Sequence, residues 1–400
     1  MTALIILENH FIKDKNGNVW CDRVVDYSYL NRYLSVFDEI VVCGRFSLSI
    51  DDCSSKLLVS GKNVSFIEIP DFKGAKGLLK NIFKIRKIIS KSIKSIDCCI
   101  MRAPTHLSFV AYKLLLKNKI PFAIEFMMAA DKMVEGNGVI SKIINSLLVW
   151  EAKKMCKLAN GVSYVTEYKL QQIYPCSAVL KKSDKMYFTS SYSSIDLTDD
   201  MIYEQKWKKN NKPTKFKIVH TGYMDSYRKG QDVLLKAIKN VIDRGYKNIE
   251  LILIGDGDKR KEFEKLTKEL EIEKYVDFKG LIKSKDEIIS ILKACHIFVF
   301  PTHSEGLPRS LIEAMAVGLV CIASPVDGIP ELLNEDNMID YNDYVGYSNK
   351  IIEYIENWPA MIEVSKKNNR IVEKYKKNNL DQKRKEYYNH LKKIVSKNNN

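Results

Sequence analysis

Two series of short, nearly unbroken apolar runs constrain what this chain can fold into. The first comprises ALIILE (3–8), EIVVCG (39–44), VSFIEIP (64–70), IDCCIMR (96–102), PFAIEF (121–126) and GVSYVT (161–166). The second comprises FKIVHTG (216–222), IELILIG (249–255), VDFKG (276–280), HIFVFPT (296–302) and VCIASPV (320–326). Runs of four to eight residues that are apolar on both alternating faces suit strands covered on both sides, as in a parallel sheet. The segments between them, such as GQDVLLKAIKNVIDRG and KDEIISILKACH, carry apolar residues at helical spacing. Strand–helix alternation of this kind means an α/β fold with helices on both faces of the sheet.

At roughly 150 residues per domain, 400 residues exceed one ordinary core. The stretch 190–216, SSYSSIDLTDDMIYEQKWKKNNKPTKF, is polar, charged and without a strong apolar period, and it reads as a linker. The expected architecture is therefore two doubly wound, Rossmann-like parallel-sheet domains, residues 1–195 and 205–365. Residues 366–400 form a basic helix that returns toward the first domain. Ligands of open parallel sheets bind beyond the carboxyl ends of the strands, so the expected site is a cleft between the two domains.

The N-terminal MTALIILENHF lacks a basic leader and a small-residue cleavage site, so it reads as a first strand and not as a signal peptide. No run approaches ~18 uninterrupted apolar residues, which argues against a membrane-spanning helix. Nine cysteines without a C-x-x-C pair suit buried thiols in a reducing compartment. The net charge of +15 asks for acidic partners, meaning phosphates, anionic lipid or nucleic acid, and does not choose among them.

The stretch HSEGLPRSLIEAMAVG (303–318) concentrates the chemistry. A strand ends at HIFVFPT, Pro308 suits the first position of a helix, and Gly318 suits its left-handed cap. The backbone N–H groups of Gly306, Leu307 and Arg309 would then face the ligand as an anion site. Glu305 and Glu313 would repel a phosphate, so their partners should be vicinal hydroxyls of a sugar or ribose. A helix-capping Glu305 with a solvated Glu313 accounts for the pattern equally well.

SEGLPRSLIEAMAVGLVCIASPVDGIPEL resembles the E-x7-E region of family-4 retaining glycosyltransferases, which have the GT-B fold. By that resemblance Glu305 contacts the transferred sugar, Glu313 binds the nucleotide ribose, and the Gly306 and Leu307 amides hold sugar hydroxyls and phosphate. HTGYMDSYRKGQDVLLKAI (220–238) is similar to the segment in which an arginine and a lysine of that family grip the diphosphate. Lys229 falls on the lysine position, whereas the arginine position is Tyr223, for which Arg228 or Arg309 could substitute. LILIGDGDKRKEF and VDFKGLIKSKDEI resemble segments flanking the nucleobase. There Gly255 would allow close approach, and Leu281 and Ile282 would offer backbone groups. The same features read structurally as a solvated Arg228–Lys229 pair and an ordinary strand-to-helix turn.

The first half implies the acceptor side. Gly17 could make a close turn toward the diphosphate, and MRAPTH (101–106) ends a strand. Many family members place a histidine after the strand equivalent to PFAIEF, but Met127, Met128, Ala129 and Ala130 stand here, which leaves Asp131 and Glu125 as the nearest polar candidates. Glu125 could equally be a satisfied structural carboxylate. No Asp-x-Asp run sits at a suitable strand end, and the Asp pairs at 51–52 and 199–200 read as surface, so neither metal nor cofactor is expected.

Residues 72–96 carry Lys73, Lys76, Lys80, Lys84, Arg86, Lys87, Lys91 and Lys94 with no acid, beside an apolar stripe. This suits either contact with an anionic membrane surface or a sheet-covering helix with a solvated basic face. No nucleic-acid motif is present.

The resemblance therefore implies a retaining, metal-independent glycosyltransferase of the bacterial surface-polysaccharide type, serving capsule or O-antigen synthesis. It would move a hexose-type unit from a nucleotide diphosphate sugar to a lipid-linked glycan, in the cytoplasm or on the inner face of the plasma membrane. The alternatives are a non-catalytic GT-B scaffold with an altered donor site, a GT-B sugar-nucleotide epimerase, and a phosphorylase.

Overall fold

The computed structural model describes residues 1–398 except 23, 49–52, 54, 55, 73, 132, 135–137, 182 and 183. The chain divides into two compact units, residues 1–192 with 381–400, and residues 193–380.

The first unit holds β1 (Thr2–Lys13), β2 (Val19–Cys21), β3 (Glu39–Leu48), β4 (Leu57–Leu58), β5 (Val64–Pro70), β6 (Cys98–Ala103), β7 (Phe122–Phe126), β8 (Gly161–Tyr164) and β9 (Phe188–Ser191). Its helices are α1 (Tyr27–Leu34), α2 (Gly74–Ser92), α3 (His106–Lys117), α4 (Val139–Leu158), α5 (Lys169–Ile173) and α6 (Ser177–Leu180). The parallel strands run in the order β5, β3, β1, β6, β7, β8, β9. The short β2 pairs antiparallel with the end of β1 and carries β4 on its far edge. Right-handed crossovers put α2, α3 and α4 on one face of this sheet, because each of those connections steps in the same direction, from β5 to β6, β7 and β8. Consistent with this, α3 packs against both α2 and α4.

The second unit is a five-stranded parallel sheet. Its strands are β10 (Phe216–Thr221), β11 (Ile249–Ile254), β12 (Val276–Gly280), β13 (Ile297–Phe300) and β14 (Val320–Ala323). They lie in the order β12, β11, β10, β13, β14. Its helices are α7 (Gln231–Asp243), α8 (Arg260–Glu269), α9 (Lys285–Lys293), α10 (Arg309–Ala316), α11 (Tyr344–Glu356) and α12 (Trp358–Val372). Its core gathers Leu251, Leu253, Ile297, Val299 and Ile322 from the strands with Leu234, Ile238 and Val241 from α7.

The basic C-terminal run is not one helix. α12 closes at Val372, a short 3-10 turn follows, and α13 (Lys377–Asn398) begins. Residues from 381 onward belong to the first unit. Among its lysines α13 hides a buried stripe, Tyr387, Tyr388, Leu391, Ile394 and Val395, whose spacing is that of one helical face. All nine cysteines are buried.

Candidate functional site

In the second unit the sequence-identified residues converge on loops that follow the carboxyl ends of β10, β11, β12 and β13. Two of these loops are joined by one main-chain bond and one side-chain bond. The Arg228 carbonyl accepts from the His303 amide at 2.8 Å and from Thr302 Oγ1 at 3.2 Å. Gly230 makes the join sterically feasible. It sits at φ +74°, and a Cβ there would lie 2.0 Å from the Pro301 carbonyl oxygen, a position only glycine fills without strain. With the loops so held, the Lys229 ammonium forms an ion pair with Glu305, both side chains being mostly buried. Lys229 Nζ also lies 5.2 Å from the centre of the Phe300 ring, and Glu305 Oε1, 3.2 Å from Thr302 Oγ1, is the alternative acceptor for that hydroxyl's one proton.

Asp327 braces the same loop. Its Oδ2 accepts from the Glu305 amide at 2.6 Å and from Ser304 Oγ at 3.2 Å. Pro308 is the N-cap of α10 and stands one residue before the helix, a small difference from its expected place inside it. The helix closes with a Schellman pair, Leu319 N–H to the Ala314 carbonyl and Gly318 N–H to the Met315 carbonyl, both at 3.0 Å. Among the described residues nothing accepts from the backbone N–H of Gly306 or Leu307.

Glu313, on the second turn of α10, is half-buried. Burial pushes its carboxyl above the ordinary 4.5, and the charges of Arg309 and Lys285 pull it only part of the way back. Glu313 is therefore only partly solvated. Arg309 and Arg228 are exposed. Tyr223 is 40% exposed, so no fixed charge stands at the arginine position of the resembled segment. Gly255, at φ +140°, abuts the Gly222 carbonyl, which a Cβ would approach to 2.0 Å. Leu281 and Ile282 follow β12, with Leu281 exposed.

His220 was not singled out in the sequence, although it stands in the quoted HTG. It is fully buried at the end of β10. Its Nδ1 lies 2.9 Å from the Val299 carbonyl, and its Nε2 has no protein partner. Desolvation lowers it to about 4, with the Lys229 charge pushing the same way, so it is a neutral acceptor beside Lys229. A Cβ on Gly222 would lie 3.1 Å from that Nε2 and 3.2 Å from Lys229 Cγ.

The first unit places its candidates separately. Gly17 is exposed in the β1–β2 turn at φ +84°, with open space where a Cβ would be. Its amide donates to the Asp14 carbonyl at 3.1 Å. Asp131 is exposed in a turn after β7. Glu125 is the satisfied structural carboxylate. It is buried and accepts from the hydroxyls of Tyr33 at 2.9 Å, Tyr192 at 3.3 Å and Tyr388 at 2.5 Å. The more developed polar pair was not anticipated. Glu8, on β1, accepts from the Leu107 amide and meets His106 Nδ1, each at 2.9 Å. Burial pushes the Glu8 carboxyl up, but the His106 bond and charge, the Leu107 amide and the Arg45 charge outweigh it and hold it below 4.5. Its only sequence signal was the strand end MRAPTH. Asp51 and Asp52 lie outside the described residues. Among the described residues no group of three or more His, Cys, Asp or Glu is placed to hold a metal ion.

Residues 202–378 match the family Glycosyl transferases group 1. The chain carries a group 1 glycosyltransferase domain on a GT-B fold. The chain is also 28% identical to Protein CapJ of Staphylococcus aureus over 319 residues, which covers 79% of this chain and 77% of CapJ. Two solved structures share the fold over nearly their full lengths. Anabaena Alr3699/HepE in complex with UDP and glucose has a TM-score of 0.64 at 15% identity, covering 97% of this chain and 99% of that one. The sucrose-phosphate synthase of Thermosynechococcus elongatus has a TM-score of 0.66 at 15% identity, covering 98% and 99%. The matched family region contains Arg228, Lys229, Gly255, Leu281, Ile282, Glu305, Gly306, Leu307, Arg309 and Glu313, while Gly17 and Asp131 lie outside it.

Proposed function

We propose that this glycosyltransferase takes a hexose-type unit from a nucleotide diphosphate sugar and passes it, with retention, to a lipid-linked glycan in surface-polysaccharide synthesis at the cytoplasmic face of a membrane. The observation that carries the reading is the Lys229–Glu305 pair at the head of α10, with the half-buried Glu313 two turns further on. Breaking the anomeric carbon–oxygen bond leaves negative charge on the departing diphosphate. Lys229 is the group to stabilise it, together with the free amides at Gly306 and Leu307. Glu305 then meets the sugar hydroxyls and Glu313 the ribose. In the proposed reaction the acceptor hydroxyl attacks the face from which the diphosphate leaves.

Arg228 and Arg309 are the remaining cations for the diphosphate, Gly255, Leu281 and Ile282 line the nucleobase, and the first unit serves the acceptor, with Gly17 turned toward the diphosphate and Asp131 as its catalytic candidate. The UDP in the HepE structure supports starting with uridine donors. The proposal uses no metal or cofactor. Transfer of labelled sugar from UDP-, GDP- and ADP-sugars, assayed with and without EDTA, tests it. A product lost in Glu305→Gln and unaffected by EDTA supports the reading. No transfer with any donor would favour the scaffold alternative, for which the missing charge at Tyr223 is the specific observation.

A further inference from the structure

We propose that the outer surface of the α2–α3–α4 layer docks on an anionic lipid bilayer, with the first three turns of α4 as the part that enters the headgroup region. On α4, Val139, Ile140, Ile143, Leu147 and Trp150 point to solvent, with exposures of 74%, 75%, 55%, 61% and 60%. At 100° per residue all five fall within one arc of about 100°. The opposite face of the helix, Ala152, Met155 and Cys156 among it, is buried. α4 is therefore apolar on its solvent side as well as its core side, which a helix that merely covers a sheet does not need.

The surrounding charge names the partner. Lys154 and Lys157 stand within the same arc, and the exposed Lys142 and Lys153 flank it. The sole acid of α4, Glu151, is buried and bonded by Tyr112 at 2.6 Å. Neither α2 nor α3 contains an acid. On α2, which the sequence marks as basic and amphipathic, Phe83 is 86% and Leu79 68% exposed, with Lys80, Lys84 and Lys87 exposed beside them. Among the described residues of these three helices the one carboxylate is the buried Glu151, and an apolar stripe with a tryptophan set among lysines has the composition of an interfacial helix on anionic lipid. A protein partner would require an acidic rim complementary to these lysines, and a second copy of this same basic face would repel it. The inference deepens the membrane partner proposed above and is independent of the donor chemistry.

The test is co-sedimentation of the full chain with vesicles of phosphatidylcholine alone and with about a third phosphatidylglycerol. It is paired with Ile143→Asp/Leu147→Asp and with Trp150→Phe. The expected result is binding to the anionic vesicles only, weakened by salt and reduced about tenfold or more by the double variant. A blue shift of tryptophan emission on binding should vanish in Trp150→Phe, which retains the core and the other tryptophans. Equal sedimentation of wild type and double variant, or an unchanged blue shift in Trp150→Phe, would overturn the proposal. So would a lipid-independent dimer that the double variant dissolves, which would give the stripe to a second copy. Nucleotide-sugar stabilisation of the double variant, read in parallel, shows that the second unit is intact and keeps this result separate from the fate of the donor proposal.

Discussion

At the residue scale the diphosphate chemistry rests on Lys229. Its ammonium is held by Glu305 and by the Phe300 ring in a largely dry setting, where a fixed charge is worth far more than in water. Lys229→Ala should lower kcat by about 10²–10³-fold, the loss typical of one stabilising donor, with a smaller effect on KM. Steady-state kinetics across donor concentrations checks this split. His220 gives a second prediction. Its folded value of about 4 lies below the ordinary 6.5. Between those values the unfolded chain binds the proton and the folded chain does not. Stability is therefore fully present above pH 6.5 and falls as the pH drops toward 4, by up to about 3 kcal/mol for this one group. Urea titrations at pH 7.5 and 5 should show the loss, and His220→Gln should reduce it but not abolish it, because burial lowers His296 to about 4 as well. Glu305, Glu313 and Lys229 stand out in the sequence through the resemblance of their segments to a known family, since residue type and spacing alone fit a capped, solvated helix equally well. His220 and the Glu8–His106 pair do not, since burial and a contact across 98 positions leave no local pattern.

At the scale of elements, the long apolar strands and the amphipathic helices could be read directly, because burial on two faces imposes composition over many residues. The short pieces could not. β2, β4 and β9 are two to four residues long, and β9, FTSS, is polar enough to pass for the start of a linker. The α12–α13 break was obscured by a run of lysines in which the buried stripe is sparse. The join between the loops after β10 and β13 is the element on which the site depends. Gly230→Ala places a Cβ against the Pro301 carbonyl at a positive φ, and it should cost about 1–3 kcal/mol while separating Lys229 from Glu305. A lowered Tm together with a lost nucleotide response is the expected outcome. In the first unit, Tyr388→Phe removes one donor from the buried Glu125 and should cost about 1.5–3 kcal/mol. Chemical denaturation measures this, and an unchanged midpoint would contradict the structural role given to Glu125.

At the scale of the whole molecule, the doubly wound character of both units and the GT-B fold followed from the alternation of runs and from the E-x7-E segment. The purpose of the +15 charge did not, because a sequence shows that residues 72–96 are basic but not which apolar side chains of a neighbouring helix remain uncovered. Lys73 lies outside the described residues; the exposed Lys80, Lys84 and Lys87 now stand in one layer with the uncovered stripe of α4. Among the described residues no helix is long and apolar enough to cross a membrane.

The central claim is that the second unit binds a nucleotide diphosphate sugar through Lys229, Glu305 and Glu313. The most direct measurement is the thermal stabilisation of the purified chain by UDP-, GDP- and ADP-sugars in the absence of metal, since a ligand that binds only the folded state must raise its stability. The account predicts a rise in Tm with one nucleotide class, reduced in Glu313→Ala and in Lys229→Ala. No rise with any donor, or a rise that both variants retain in full, would contradict it.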